Sequence, residues 1–239
     1  MKRLLGVVAS LAIAVSIVPS ADALCIAMEA GDVLASPVAA VLPGDGGILV
    51  RWMPVSEVKA ENQSSGWKVA AEGTSVAVAR IQLAPGLTVL RPAAGTAMLT
   101  VSSGTTEIAR LTRDATLPAF TAAAPTPTKL ALTTQRARYS GYFRTVSATL
   151  SAPVPDDAIG VITYATRKKK RVAISFALVE RGKLSVATFG DPGRCSFGPP
   201  GADAPKTGEK VTLVWVDAFG RLSKPSAPIA MTGSVPKTK

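Results

Sequence analysis

The chain has 239 residues, 47% of them apolar and 18% charged, with 27 Lys and Arg against 16 Asp and Glu, two cysteines and no histidine. The missing histidine excludes Ser-His-Asp and Cys-His catalysis and most zinc sites. The 20 glycines and 18 prolines are spread along the chain, and no segment after residue 23 shows a long 3.6-residue apolar stripe, which points away from helical architectures.

Residues 1–23 read as a secretory signal. Lys2 and Arg3 precede an apolar run from Leu4 to Val18, broken only by Gly6, Ser10 and Ser16, and Ala21-Asp22-Ala23 forms a small-x-small cleavage site. The mature chain is expected to begin at Leu24 and to be exported to the periplasm, the cell surface or the extracellular space. A retained anchor is the weaker alternative, since the run falls short of the ~20 residues a spanning helix needs. Lipoprotein processing would need a small residue where Leu24 precedes Cys25. No later stretch is long and apolar enough to cross a bilayer, so the mature chain is expected to have no membrane span. Cys25 and Cys195 are the two thiols, and in an oxidising compartment they are expected to form one intramolecular disulfide. Such a bridge would close a loop worth about 5 kcal/mol of unfolded-chain entropy. Intermolecular pairing and two free thiols are the alternatives.

From Ala35 onward, short apolar runs alternate with turn residues. Gly44-Asp45-Gly46-Gly47 precedes Ile48 to Trp52, where Ile48, Val50 and Trp52 share a face. After the polar stretch Glu61 to Gly66, strands are predicted over Trp67–Ala71, Ser75–Leu83, Leu87–Arg91, Ala97–Val101 and Glu107–Leu111. From Ala115 to Thr128, Pro118, Pro125, Pro127 and Ala122-Ala123-Ala124 read as an extended, semi-stiff linker, which places a boundary at 118–128. Beyond it, strands are predicted over Leu130–Thr134, Phe143–Leu150, Ile159–Thr166, Val172–Val179, Leu184–Phe189, Lys210–Val216 and Ile229–Met231. Between Phe189 and Lys210, a Pro/Gly-rich loop carries Cys195. Strands of this length with a turn signal about every ten residues are the pattern of β-sandwiches and barrels.

The C-terminal stretch from Val211 to Ile229 resembles the closing hairpin of fibronectin type III and related bacterial Ig-like domains. Asp217, Gly220, Ser223 and Pro225 fit the pattern of an acidic strand end, a Gly-containing turn and a Ser/Pro lead-in to the last strand, whereas the pattern does not demand Phe219 or Arg221. The earlier half is similar to bacterial Ig-like repeats through Val89 to Pro92 and Gly95 to Val101. The resemblance implies an all-β chain of two Ig-like β-sandwich domains, at 24–117 and 129–232, joined by the Pro/Ala-rich linker and followed by a tail at 233–239. It implies an interaction or spacer module, not an enzyme, and no cofactor.

Chemical motifs are thin. Ser56-Glu-Val-Lys59, Ser65-Gly-Trp-Lys68 and Lys206-Thr207-Gly208 match motifs of penicillin-recognising serine enzymes, but Ser65-Gly66 reads as a loop entering a strand where those enzymes need a helix. Asp156-Asp157 after Pro155 is a turn, Glu29 and Asp32 lack the spacing of a calcium loop, and Gly44 to Gly47 lacks the Lys-Ser/Thr of a phosphate cradle. Asn62-Gln63-Ser64 is a glycosylation sequon. Trp52, Trp67 and Trp215 are expected in cores. Tyr139, Tyr142 and Phe143 near Arg136, Arg138 and Arg144 offer a stacking surface for sugars or bases, with a loop covering one end of a sandwich as the plainer reading.

Charge is the most informative feature. Residues 24–120 hold seven Lys and Arg against eight acids, whereas residues 121–239 hold eighteen against seven, so the second half carries the whole excess of the +11 formal charge. It is densest where two strands are predicted to meet in a hairpin, at Arg167-Lys168-Lys169-Lys170-Arg171, with Arg181 and Lys183 close behind. Val172, Ile174, Phe176 and Leu178 are expected to alternate inward after that turn. The cations either solvate the turn and guard a sheet edge or bind a polyanion. In an exported chain the partner would be a protein, an envelope component, lipopolysaccharide or another acidic glycan; nucleic acid is less natural there.

Overall fold

The computed structural model describes residues 33–34, 41–51, 67–93, 98–103, 105–137, 141–179, 185–190 and 204–233. Residues 1–23, Cys25 and Cys195 lie outside them, as do Trp52, Tyr139, Arg138, Arg181 and Lys183. The fold is all-β: sixteen strands and no helix among the described residues.

In the first half, β2 (Val41–Pro43), β4 (Trp67–Ala71), β5 (Thr74–Ser75), β8 (Met98–Ser103) and β9 (Thr106–Asp114) form a five-stranded sheet, ordered β2-β9-β8-β4-β5. Facing it is a four-stranded sheet of β1 (Val33–Leu34), β3 (Ile48–Arg51), β7 (Leu87–Pro92) and β6 (Val78–Ala84). Trp67, Val69, Leu99, Val101 and Leu111 meet Ile48, Val50 and Leu90 between the sheets, all buried. The single strand predicted over Ser75–Leu83 is two strands in different sheets. Val76 still donates its amide to the Val69 carbonyl of one sheet, while the Ala77 carbonyl accepts from Ala93 beside the other, so the chain changes sheet there.

The second half is one seven-stranded sheet ordered β13-β12-β15-β16-β10-β11-β14, with β11 spanning Gly141–Leu150 and β12 spanning Ala158–Arg167, in which β16 (Ile229–Thr232) pairs with β15 (Lys210–Asp217) on one side and β10 (Pro127–Ala137) on the other. The sheet curls about β16, so that β13 (Lys170–Leu178) comes close to β14 (Ser185–Gly190). Its inner faces enclose Leu130, Leu132, Val146, Val161, Ala165, Ile174, Val211, Leu213, Trp215 and Met231. Trp67 and Trp215 are each 2% exposed, so both are core residues. Residues 115–126 run irregularly between β9 and β10, with Phe120 and Ala122 packed against the second core, and the last two residues of the predicted linker belong to β10.

A third buried cluster joins the halves. Leu49, Ala84, Leu87 and Val89 of the four-stranded sheet pack against Ile162 of β12 (Ala158–Arg167) and Val216 of β15. Residues on these strands therefore alternate between two cores rather than between core and water: Val161 and Ala165 face the second core, Ile162 the first half; Leu213 and Trp215 face the second core, Val216 the first half. This two-sided burial explains the near-continuous apolar runs Ala158–Ala165 and Val211–Val216. At ~1.5–3 kcal/mol per buried aliphatic side chain, the junction contributes on the order of 10 kcal/mol before entropy, comparable with a whole domain's stability.

The turn after β15 locks the junction. Asp217 is buried, and its Oδ1 accepts from the Phe219 and Arg221 amides at 2.9 and 2.8 Å while Oδ2 accepts from Arg221 Nε at 2.7 Å. Arg221 Nη1 reaches across to Asp45 Oδ1 at 3.2 Å and the Pro118 carbonyl at 2.7 Å. Phe219 packs against the core of the first half, and its carbonyl accepts from the Gly47 amide at 2.9 Å. Burial works against the charge of Arg221, but Asp217 and Asp45 outweigh it and hold the guanidinium above its usual range. Phe219 and Arg221, which the hairpin pattern does not demand, are thus the side chains that dock one half on the other.

Candidate interaction surface

β12 and β13 form the hairpin that the alternation predicts, closing at the Arg167–Lys170 pair around the two-residue turn Lys168-Lys169. Both turn residues have positive φ, 49° and 64°, as a two-residue hairpin turn matched to the strand twist requires. At the comparable Glu72-Gly73 and Pro85-Gly86 turns, a glycine takes the second position. Lysine pays about 1–2 kcal/mol in that conformation, so this tip carries cations where a more stable turn sequence is available.

The inward alternation expected from Val172 to Leu178 is broken. Thr163 pairs with Ser175 and Tyr164 with Ala173, leaving Ile174 as the extra residue of a β-bulge. Ile174 and Ala177 then face the second core, Ala173 and Phe176 face the first half, and Val172 and Leu178 are each 41% exposed. Gly160 fits this crossing because a Cβ there would lie 2.3 Å from the Phe176 ring.

Lys168, Lys169, Lys170 and Arg171 are exposed. Among the described residues no acidic side chain lies within ion-pair distance of Lys168, Lys169 or Lys170. Arg167 lies 3.8 Å from Glu209, and the Arg171 guanidinium stacks 3.9 Å from the centre of the Tyr164 ring. Burial pushes the Tyr164 phenol above its ordinary value despite the opposing Arg171 charge. Beside the hairpin, exposed Lys206 and Lys210 lie before and at the start of β15, and exposed Lys129 lies near the start of β10. The sequence run at 167–171 does not reveal these lysines, because only the strand order β12-β15-β16-β10 brings them to the same end of the sheet.

The other motifs take structural places. Lys206-Thr207-Gly208 is a turn closed by the Glu209 amide on the Lys206 carbonyl, with the Thr207 hydroxyl on the Gly233 carbonyl. Asp156-Asp157 is an exposed turn before β12. Lys68 is exposed on β4, while Ser56, Ser65, Asn62, Glu29 and Asp32 lie outside the described residues. Ser223 and Ser226 line up beside β15: each accepts a hydrogen bond at its hydroxyl from the amide of Trp215 or Leu213, at 3.0 and 2.9 Å, and each donates its own amide to the same residue's carbonyl. The two serines thereby satisfy a strand opposite a Pro-containing segment that cannot supply a full ladder.

A shallow cleft of about 230 Å³, lined by Gln82 to Pro85 and Ala173, lies between the halves. It is smaller than the ~300–1,000 Å³ of ordinary ligand pockets. Among the described residues no three acidic or cysteine side chains are placed to hold a metal ion, and no helix is long and apolar enough to cross a membrane. No protein-family model matches the chain, and a search of curated proteins gives no match.

Proposed function

We propose that the chain is an exported, non-catalytic structural or protein-interaction module of the cell envelope or extracellular space, built from two Ig-like β-sandwiches. In the second half, the first, second and fifth strands pair on one side and the third, sixth and seventh on the other, which is the division of the Ig family, with the fourth strand attached to the third. That order supports a domain of the fibronectin type III kind at 129–232. The observation that carries the functional reading is the burial of β12 and β15 between two cores. It ties the two halves into one body and leaves the cationic end outward, an arrangement suited to holding a surface at a set position. Export and a Cys25–Cys195 brace belong to the same reading.

Cell fractionation with N-terminal sequencing and non-reducing peptide mapping tests it. The reading expects a chain beginning at Leu24 in the exported fraction, with Cys25 joined to Cys195. An uncleaved cytosolic chain with two free thiols would overturn it.

The hairpin tip favours a second reading, polyanion binding. Its lysines hold a strained conformation that glycine or asparagine would relieve, and strain of this kind concentrates where function requires particular side chains.

A further inference from the structure

The cations of the second sandwich continue beyond the hairpin in a row across its sheet. Arg171 pairs with Thr166. One step beyond the Ala165–Val211 pair, Thr166 lies beside Lys210. Lys210 pairs with Ala230, and one step before the Leu130–Met231 pair, Ala230 lies beside Lys129. Ala165, Val211, Met231 and Leu130 all point into the second core. Their neighbours Thr166, Lys210, Ala230 and Lys129 therefore point outward, and all four are exposed, as is Arg171. The row reads cation, small, cation, small, cation over five adjacent strands. Strands lie about 4.8 Å apart, so the three charges recur at roughly 10 Å over about 19 Å. Small residues between them leave the row open to a chain lying across the strands, and Lys168 and Lys169 lie beside it, at the hairpin tip just past the Arg171–Thr166 pair.

We propose that this row is the binding surface for a linear acidic polysaccharide running perpendicular to the strands. The inference rests on the polyanion reading of the hairpin tip and gives it a ligand class and a direction. Charge spacing selects the class. Acidic side chains on one face of an extended peptide recur at about 7 Å, and duplex DNA carries a phosphate about every 3.4 Å on each strand. The charge pattern of an acidic polysaccharide repeats with its disaccharide, a wider step that is closer to that of the row. Single-stranded nucleic acid would also need open aromatic faces for its bases, and Tyr164, the aromatic ring placed at the row, is covered by Arg171.

The test compares the purified chain with two variants, Lys129→Ser/Lys210→Ser in the row and Lys168→Asn/Lys169→Gly in the turn. Affinity for heparin, phosphatidylserine-containing vesicles and oligothymidylate is measured at low and high salt, with melting curves to verify folding. All substituted positions are exposed, and the turn variant relieves strain. Each pair of lost cations is expected to weaken heparin binding about thirtyfold at low salt, with heparin the preferred of the three probes. Loss in the turn variant alone would leave the hairpin as a binding tip and overturn the row. Unchanged binding by both folded variants would overturn both readings. Tighter binding of vesicles or oligothymidylate than of heparin would overturn the polysaccharide assignment.

Discussion

Gly220 carries a double steric requirement at the junction: its φ is +70°, and a Cβ would lie 2.2 Å from Val89 Cγ2 in the opposite half. A side chain there meets both the left-handed backbone, at about 1–2 kcal/mol, and overpacking, at about 1–3 kcal/mol. Gly220→Ala is therefore expected to lose roughly 2–5 kcal/mol in denaturant unfolding. Adding Val89→Ala should reduce the cost of the Gly220 substitution, because the clash disappears while the backbone cost stays; a double-mutant cycle with no coupling would contradict the contact. Tyr164 offers a pH test. Its folded pKa is raised above the ordinary 10.0 by burial, so the native state holds the phenolic proton more tightly than the unfolded chain. Stability from this group is complete below about pH 10 and declines as pH rises from there through the folded value. Tyr164→Phe should flatten that alkaline decline; an unchanged slope would assign it to other groups.

The hairpin of β12 and β13 shows how an element trades stability for its side chains. Lys168→Asn/Lys169→Gly supplies the residues that a two-residue turn favours and is expected to raise stability by about 1–2 kcal/mol, seen as a higher melting temperature. A lower one would contradict the strain assigned to the turn. This hairpin was legible in the sequence because its apolar runs flank a compact charged turn. The bulge at Ile174 was not, because Val172, Ile174, Phe176 and Leu178 alternate in sequence whether or not the backbone inserts an extra residue. The break at Val76 was equally hidden, since strand propensity continues from Ser75 to Leu83 while the partner sheet changes. The cation row was illegible for a topological reason: Lys129, Lys210 and Arg171 are far apart in sequence, and they line up only because β12 lies between β13 and β15 while β16 joins β15 to β10.

At the scale of the molecule, the apolar runs of the sequence indicate strands but not how many cores they serve. Ile162 and Val216 read as ordinary members of a sandwich, yet they face Leu49, Leu87 and Val89 of the other half. Likewise Phe219 and Arg221 look incidental within their turn until Asp45, Gly47 and Pro118 are seen against them. The two halves thus share a buried cluster whose gross contribution matches a domain's net stability, and neither half can unfold without exposing the other's outer sheet. Scanning calorimetry of the purified chain tests this most directly. Coupled halves predict one transition, with equal calorimetric and van't Hoff enthalpies. Two resolved transitions, each with the enthalpy of about half the chain, would contradict it.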